Sequence, residues 1–189
     1  MAIGILGGVF DPPHSGHVAL AKAAMRELGL DELLVLVVAD PGHKRATTPA
    51  ETRLILTRLA FEDVPQAVVK RDRHARTVDS LEERRLDDAV FILGADELAG
   101  FQTWKSPERV LELTRIAVAM RSGVSHDAVH AVRGRLSAPD RVLEFEMEPV
   151  PASSSEIRAR VQRGERIDEL VPPKVAEAIS RLGLYAAPE

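Results

Sequence analysis

The sequence predicts an α/β protein with a mainly parallel sheet layered between helices, and three observations carry that prediction. Continuous apolar runs of strand length occupy residues 3–6, 33–39, 90–93 and 115–120, as in strands buried on both faces of a parallel sheet. Between the first two, Leu20, Ala21, Ala24, Met25 and Leu28 recur with helical spacing, which makes a β-α-β start and favours a right-handed crossover. Each run then gives way to a turn-forming cluster: Gly7-Gly8, Asp40-Pro41-Gly42, Gly94-Ala95-Asp96 and Arg121-Ser122-Gly123. In an open sheet of this kind the carboxyl edge carries the ligand crevice, so the polar residues around those clusters are the candidates for chemistry.

Composition narrows the class. The 189 residues suffice for one well-filled domain and fall short of two ordinary ones. A single domain over residues 1–189 is therefore expected, with C-terminal helices from about residue 153 packing on it. A formal charge of −4 argues against a dedicated binder of nucleic-acid polymers. No apolar run reaches the length of a membrane span, and the opening residues enter a strand rather than a signal-peptide pattern. With no cysteine, disulfides and cysteine-based zinc sites are excluded. A cytoplasmic enzyme fits this profile, and the sequence leaves a homo-oligomer open.

Residues 7–17 read G-G-V-F-D-P-P-H-S-G-H and join the first strand to the first helix. Gly7 and Gly8 let the backbone turn tightly and approach a ligand. Ser15 reads as the helix N-cap, so His14 falls just before the helix and His17 in its first turn. Both imidazoles then stand at the positive end of a helix beside unpaired N–H groups, an anion site suited to a polyphosphate. The stretch lacks the G-K-[ST] of a Walker loop and the G-x-G-x-x-G of a dinucleotide fingerprint. Two histidines without a third ligand nearby make a poor zinc site, and no protein-borne metal site is expected. The stretch resembles the nucleotidyltransferase superfamily, whose G-G-x-F-D-P-x-H-x-G-H segment binds a nucleotide triphosphate. That resemblance implies a Rossmann-like three-layer fold, with ATP held by Gly7, Gly8, Val9, Phe10, His14 and His17.

The chain continues in the same register. Past the strand at 33–39, residues 40–42 break the chain and leave His43, Lys44 and Arg45 at the carboxyl edge. Relatives read P-P-H-K there and touch phosphate through the lysine, which implies Lys44 for both ATP and the acceptor nucleotide; Gly42 departs from the second proline. Residues 49–62 read as a helix with core leucines, and Val68-Val69 as a short strand. Thr77 reads as the cap of a helix through residue 86. Residues 75–81, A-R-T-V-D-S-L, stand where relatives read S-Y-T-[IV]-D-T-L and hold a pyridine carboxylate, so the resemblance implies Thr77 for the nicotinate nucleotide, with Ala75 and Arg76 departing from the pattern. Residues 91–104, F-I-L-G-A-D-E-L-A-G-F-Q-T-W, resemble the G-A-D-x-L-x-x-F-x-x-W block of bacterial nicotinate mononucleotide adenylyltransferases. Gly94 and Asp96 are then expected at the ATP site, with Asp96 accepting from ribose hydroxyls or capping the next helix, and Trp104 is implied as a stacking platform for the pyridine ring.

After the strand at 115–120, Arg121 with Ser122-Gly123 corresponds to residues beside the adenosine in relatives. A helix over 125–136 and a strand over 142–147 follow. Residues 152–158 read A-S-S-S-E-I-R, in which Ser153 and Glu156 form a capping box. Ser154 and Arg158 are spaced to share a helix face and can present a hydroxyl and a guanidinium to one anion. Relatives read I-S-S-T-x-I-R here and use it on the β and γ phosphates. Residues 170–185 match the closing V-P-x-x-V helix and Leu-Tyr end of the same family and read as packing.

Together these motifs imply adenylyl transfer from ATP to nicotinate mononucleotide. The acceptor phosphate is already ionised at neutral pH, so the work is alignment of two anions and stabilisation of the pentavalent species. His14 and His17 are expected on the α and β phosphates, Lys44 between the reacting phosphates, and Ser154 with Arg158 on the leaving pyrophosphate, with Ser153 also at the ATP site. Mg²⁺ is expected to travel with ATP, held mainly by phosphate oxygens and water. Phosphopantetheine adenylyltransferase shares the first and serine-rich motifs but is shorter and lacks the G-A-D block; a cytidylyltransferase fits less well for the same reason. The departures at Gly42, Ala75 and Arg76 keep a non-catalytic nucleotide-binding protein as the alternative of a different class.

Overall fold

A computed structural model describes residues 1–42, 46–120 and 126–187. Strands alternate with helices along the chain: β1 (Ile3–Gly8), α1 (Ser15–Glu27), β2 (Glu32–Val38), α2 (Ala50–Phe61), β3 (Ala67–Asp72), α3 (Thr77–Arg84) and β4 (Ala89–Gly94). Then come α4 (Ala95–Ala99), α5 (Pro107–Leu113), β5 (Arg115–Met120), α6 (His126–Arg133), β6 (Val142–Glu146), α7 (Ser154–Gln162) and α8 (Pro173–Arg181). The described strands form a six-stranded sheet in the order β3-β2-β1-β4-β5-β6, and every neighbouring pair is parallel.

Side-chain alternation explains the layering. In β1, Leu6 points into one core with Leu33, Val35, Val37, Val90 and Ile92, and α1, α2, α7 and α8 cover that face with residues such as Ala24, Leu56, Ile157 and Val175. Ile5 points the other way, with Leu34, Leu36, Phe91, Leu93, Ile116 and Val118, under Val78, Leu81, Leu98, Val110 and Val129 of α3 to α6. A strand apolar on both faces belongs in a sheet covered on both sides, which is why the runs in β2, β4 and β5 have no polar alternation. The edge strand β3 is different: Val68 is exposed and Lys70 and Arg71 face solvent, so its sequence signal was confined to two valines.

Several boundaries differ from the sequence expectation. The N-cap of α1 is His14, whose backbone is extended, rather than Ser15, and the Ser15 N–H, an orphan of the first turn, donates to the Leu170 carbonyl at 2.9 Å. The N-cap of α3 is Arg76, which puts Thr77 inside the first turn. Asp96 does not cap α4; Gly94 holds that position and the Glu97 carboxylate accepts its N–H at 3.2 Å. Ser153 caps α7 as expected, its Oγ accepting the Glu156 N–H at 3.2 Å, whereas the Glu156 carboxylate turns to Arg160. Helix α5 has no counterpart in the sequence reading, although Ser106-Pro107 is a start signal with proline at the first helical position. Among the described residues no helix is long and apolar enough to cross a membrane.

The strand order reverses direction between β1 and β4. At such a switch point the connections leave the carboxyl ends of two adjacent strands on opposite faces and open a crevice. Gly7, Gly8 and Gly94 stand at its mouth.

Candidate active site

Two cavities open at the switch point and meet over Gly7, Gly8, Val9, Asp96 and Glu97, which line both. The first, about 680 Å³, is walled by His14, Gly16, His17, Ser153, Ser154 and Arg158, with Leu6, Met147, Val150 and Ala152 on an apolar side. The second, about 550 Å³, is lined by Arg76 and Thr77 at the start of α3, by His74 and Ser80, and by Phe91 and Trp104. The structure thus brings Gly7, Gly8, Val9, Phe10, His14, His17, Gly94, Asp96, Ser153, Ser154 and Arg158 to one cavity and Thr77 and Trp104 to its neighbour. Lys44 and Arg121 lie outside the described residues.

The β1–α1 loop is shaped by its own side chains. Phe10 is buried and has φ of 52°, a left-handed conformation costly for a residue with a Cβ. Its ring folds back over Gly8, where a Cβ would lie 2.9 Å from the ring edge, and meets His17 edge-on at 4.9 Å between centroids. His14 and His17 stack at 3.7 Å.

His17 carries an unambiguous proton assignment. Its Nδ1 accepts the His14 backbone N–H at 3.1 Å, so the ring proton sits on Nε2 and that N–H remains to be donated. Burial, reinforced by the neighbouring His14, pushes its pKa well below the usual 6.5. A neutral imidazole with a fixed tautomer is therefore in place at pH 7. The sign of its linkage follows: once the pH drops under about 6.5 the unfolded chain takes up a proton that the folded ring resists. Its contribution is fully present above that value and lost as the pH falls. Denaturant melts are expected to show stability declining on acidification through this window, with a shallower decline in His17→Gln; equal slopes would assign the effect to other groups.

Gly16 has a role the sequence reading missed. A Cβ there would lie 3.0 Å from His14 Nδ1 and 3.1 Å from its Cε1, so the ring would have to give way by a few tenths of an ångström and shift in its stack on His17. Gly16→Ala is expected to reduce turnover roughly tenfold through this displacement, while stability holds or rises, since alanine outranks glycine in a helix by about 0.5–1 kcal/mol. Melting and steady-state kinetics on the same preparation check both halves.

Ser154 and Arg158 reach the cavity while tied to its floor. Ser154 Oγ donates to the Pro12 carbonyl at 2.8 Å, and Arg158 Nη1 donates to the Asp11 carbonyl at 2.6 Å. These bonds fasten α7 to the loop of residues 7–17 across more than 140 positions of sequence. Behind them lies Arg53, read from sequence only as part of a mixed helix face. It is 1% exposed and its guanidinium donates to the carbonyls of Val9 (2.7 Å), Val38 (2.8 Å), Ala39 (2.9 Å) and Thr48 (3.0 Å). One buried fork thereby gathers the chain leaving β1 and β2.

In the second cavity Trp104 packs edge-on to Phe91 at 6.0 Å and tilted to Phe101 at 5.3 Å between centroids. Lys105 lines the same cavity and pairs with Asp79 of α3 at 2.7 Å. An aromatic floor beside a helix start suits a flat heterocycle with an anionic substituent.

Six parallel strands in this order, with a histidine-bearing loop and a serine-capped helix on one side of the switch point and an aromatic pocket on the other, define a nucleotide-handling α/β transferase, and its first cavity offers backbone N–H, imidazole, hydroxyl and guanidinium groups. Comparison with known proteins narrows this. The cytidylyltransferase-like family model matches residues 5–160. A relative from Thermomicrobium roseum named "Probable nicotinate-nucleotide adenylyltransferase" is 37% identical, covering 99% of this chain and 92% of its own. One of the same name from Thermus thermophilus is 38% identical over 98% of this chain and all of its own. Among solved structures, the Plasmodium falciparum nicotinic acid mononucleotide adenylyltransferase complexed with NaAD aligns with a TM-score of 0.77 at 18% identity, covering 97% of each chain; at that identity it shows a shared fold. The chain belongs to the cytidylyltransferase-like family and, within it, to the nicotinate-nucleotide adenylyltransferases.

Proposed function

We propose that the protein transfers the adenylyl group of ATP to nicotinate mononucleotide, forming deamido-NAD and pyrophosphate, and that the reaction takes place in the cytoplasm, the compartment that supplies ATP. The observation that carries this reading is the meeting of the two cavities over Gly7-Gly8-Val9: a triphosphate in the first and a pyridine nucleotide in the second place the acceptor phosphate beside the α-phosphorus. A phosphate oxygen of the acceptor attacks that phosphorus, the bond to the β-phosphate breaks, and its electron pair leaves with pyrophosphate. The ionised nucleophile has no proton to lose, so the chain's part is alignment and charge stabilisation.

The neutral His17 donates from Nε2 to a phosphoryl oxygen, a donor that costs no reorganisation as charge develops. His14, stacked beneath it, contacts the neighbouring phosphate. Lys44 offsets charge between the reacting phosphates, Ser153 borders ATP, and Ser154 with Arg158 holds the leaving pyrophosphate; Arg158 has guanidinium donors to spare beyond its bond to Asp11. Gly94, Asp96 and Arg121 serve the nucleoside of ATP, with Thr77 and Trp104 on the pyridine nucleotide. Mg²⁺ enters as part of the substrate, bound to phosphate oxygens and water.

The test is pyrophosphate release from ATP and Mg²⁺ with nicotinate mononucleotide, nicotinamide mononucleotide or phosphopantetheine as acceptor. Release is expected with the nicotinate form above the amide, because Arg76, Lys105 and the start of α3 border the ring pocket and complement a carboxylate. Release with phosphopantetheine alone would reassign the acceptor. No release with any acceptor would leave a nucleotide-binding protein without transferase activity.

A further inference from the structure

Asp11 lines the first cavity, and its carboxylate is buried at 4% exposure, yet the proposed reaction gives it no task. Both of its oxygens accept hydrogen bonds from distant parts of the chain. Oδ2 accepts the Thr47 N–H at 2.6 Å and the Thr47 hydroxyl at 2.8 Å; Oδ1 accepts the Tyr185 hydroxyl at 2.7 Å. The main-chain carbonyls of Asp11 and Pro12 are the ones that anchor Arg158 and Ser154. Tyr185, past the end of α8, lines neither cavity and has φ of 63°, a strained value for a residue with a Cβ. A strained backbone persists where the contacts it permits over-determine it.

We infer that Tyr185 is a positioning residue for the phosphate subsite, acting through Asp11 to hold the His14–His17 loop against the β2–α2 connector and the base of α7. The inference rests on the adenylyl-transfer reading for its kinetic readout. Burial foremost, with the adjoining Asp11, holds the phenol above its usual range, so it remains a donor. Burial alone would raise the Asp11 carboxyl, but hydrogen bonds from Thr48, Tyr185 and Thr47 outweigh it and leave it lowered. The contact is thus a charge-assisted O–H···O⁻ bond, the stronger kind, linking two parts of the chain 174 residues apart. If the Asp11–Pro12 segment loses one tether, the carbonyls that orient Arg158 and Ser154 move with it, and these are groups of the ATP side only.

Tyr185→Phe removes the hydroxyl and keeps the ring that packs on the core. Roughly a tenfold loss in kcat/KM for ATP is expected, with the KM for the acceptor mononucleotide unchanged within about twofold. Asp11→Asn is expected to show a similar loss, and the double variant no more than the larger single one, because the two residues act as a unit. Wild-type kinetics in Tyr185→Phe, equal losses toward both substrates, or additive losses in the double variant would overturn the inference. Calorimetric titration with a non-hydrolysable ATP analogue separates it from the functional reading: if the wild type releases no pyrophosphate, adenylyl transfer falls, while weaker analogue binding in Tyr185→Phe still supports the tether and equal binding still refutes it. Should Tyr185→Phe not fold, Thr47→Val, which removes a different donor to the same carboxylate, is expected to shift analogue affinity in the same direction, and unchanged affinity there would count against the tether.

Discussion

Replacing His17 with alanine is expected to lower kcat by about a hundredfold or more, the usual consequence of removing one preorganised donor worth about 3 kcal/mol to a transition state. The size of the effect comes from the state in which the ring is held. With Nδ1 occupied by the His14 N–H, the ring has one orientation and one tautomer, and with its pKa depressed by burial and by His14 it does not drift into the cationic form at pH 7. The variant should fold, since what the helix loses is a backbone cap of about 1 kcal/mol. His17→Gln tests the assignment more closely, because its amide nitrogen can approach the place of Nε2 and should recover part of the lost rate. Near-normal turnover in His17→Ala would remove the central residue of the proposed mechanism.

Arg53→Leu is expected to produce the largest loss of stability of any single substitution considered, about 3–5 kcal/mol, as for breaking a buried charged contact by removing one side. For a chain of this size that corresponds to a melting temperature lower by roughly 6–20 °C. Leucine fills much of the volume but leaves the carbonyls of Val9, Val38, Ala39 and Thr48 without their shared donor, and buried acceptors without partners are costly. Arg53→Lys should recover only a fraction, because an ammonium cannot reproduce the planar fork. Val9 lines both cavities and Val38 the second, so the folded fraction of Arg53→Leu should also turn over more slowly. A change below about 1 kcal/mol in a thermal or denaturant melt would show that water or a rearranged loop satisfies those carbonyls.

The contrast between these two residues shows what a sequence displays. His17 stands in a short motif whose chemistry is local: the glycines, the histidines and the helix start are contiguous, so the pattern and the geometry are the same object. Arg53 sits in a helix between Thr52 and Leu54 and reads as one member of a mixed face. Its partners come from two strand ends and a connector, and nothing in the local pattern announces that those carbonyls will lack donors. Asp11 is intermediate, visible inside the motif but with donors from Thr47 and Tyr185 that only the folded chain supplies. Gly16 is similar: its neighbours in sequence are plain, but the ring that would crowd a Cβ is placed by the stack of His14 on His17.

By itself the sequence determined the layered architecture, because strands apolar on both faces must be covered on both faces, and it located the glycine- and histidine-bearing loop that lines the first cavity, because glycine and a helix start are local requirements. It did not reach the α1 and α3 caps, the edge strand's length or helix α5, where tertiary partners outweigh local preference. The tertiary structure alone decided that two cavities share the Gly7–Val9 backbone, that His17 is a neutral Nε2 donor, and that Arg53, Asp11 and Tyr185 fasten the loop from behind. The physical reason is that hydrogen bonds and burial act between groups near in space, and those groups come from segments far apart along the chain, whose convergence is settled only when the sheet and its two helical layers have packed.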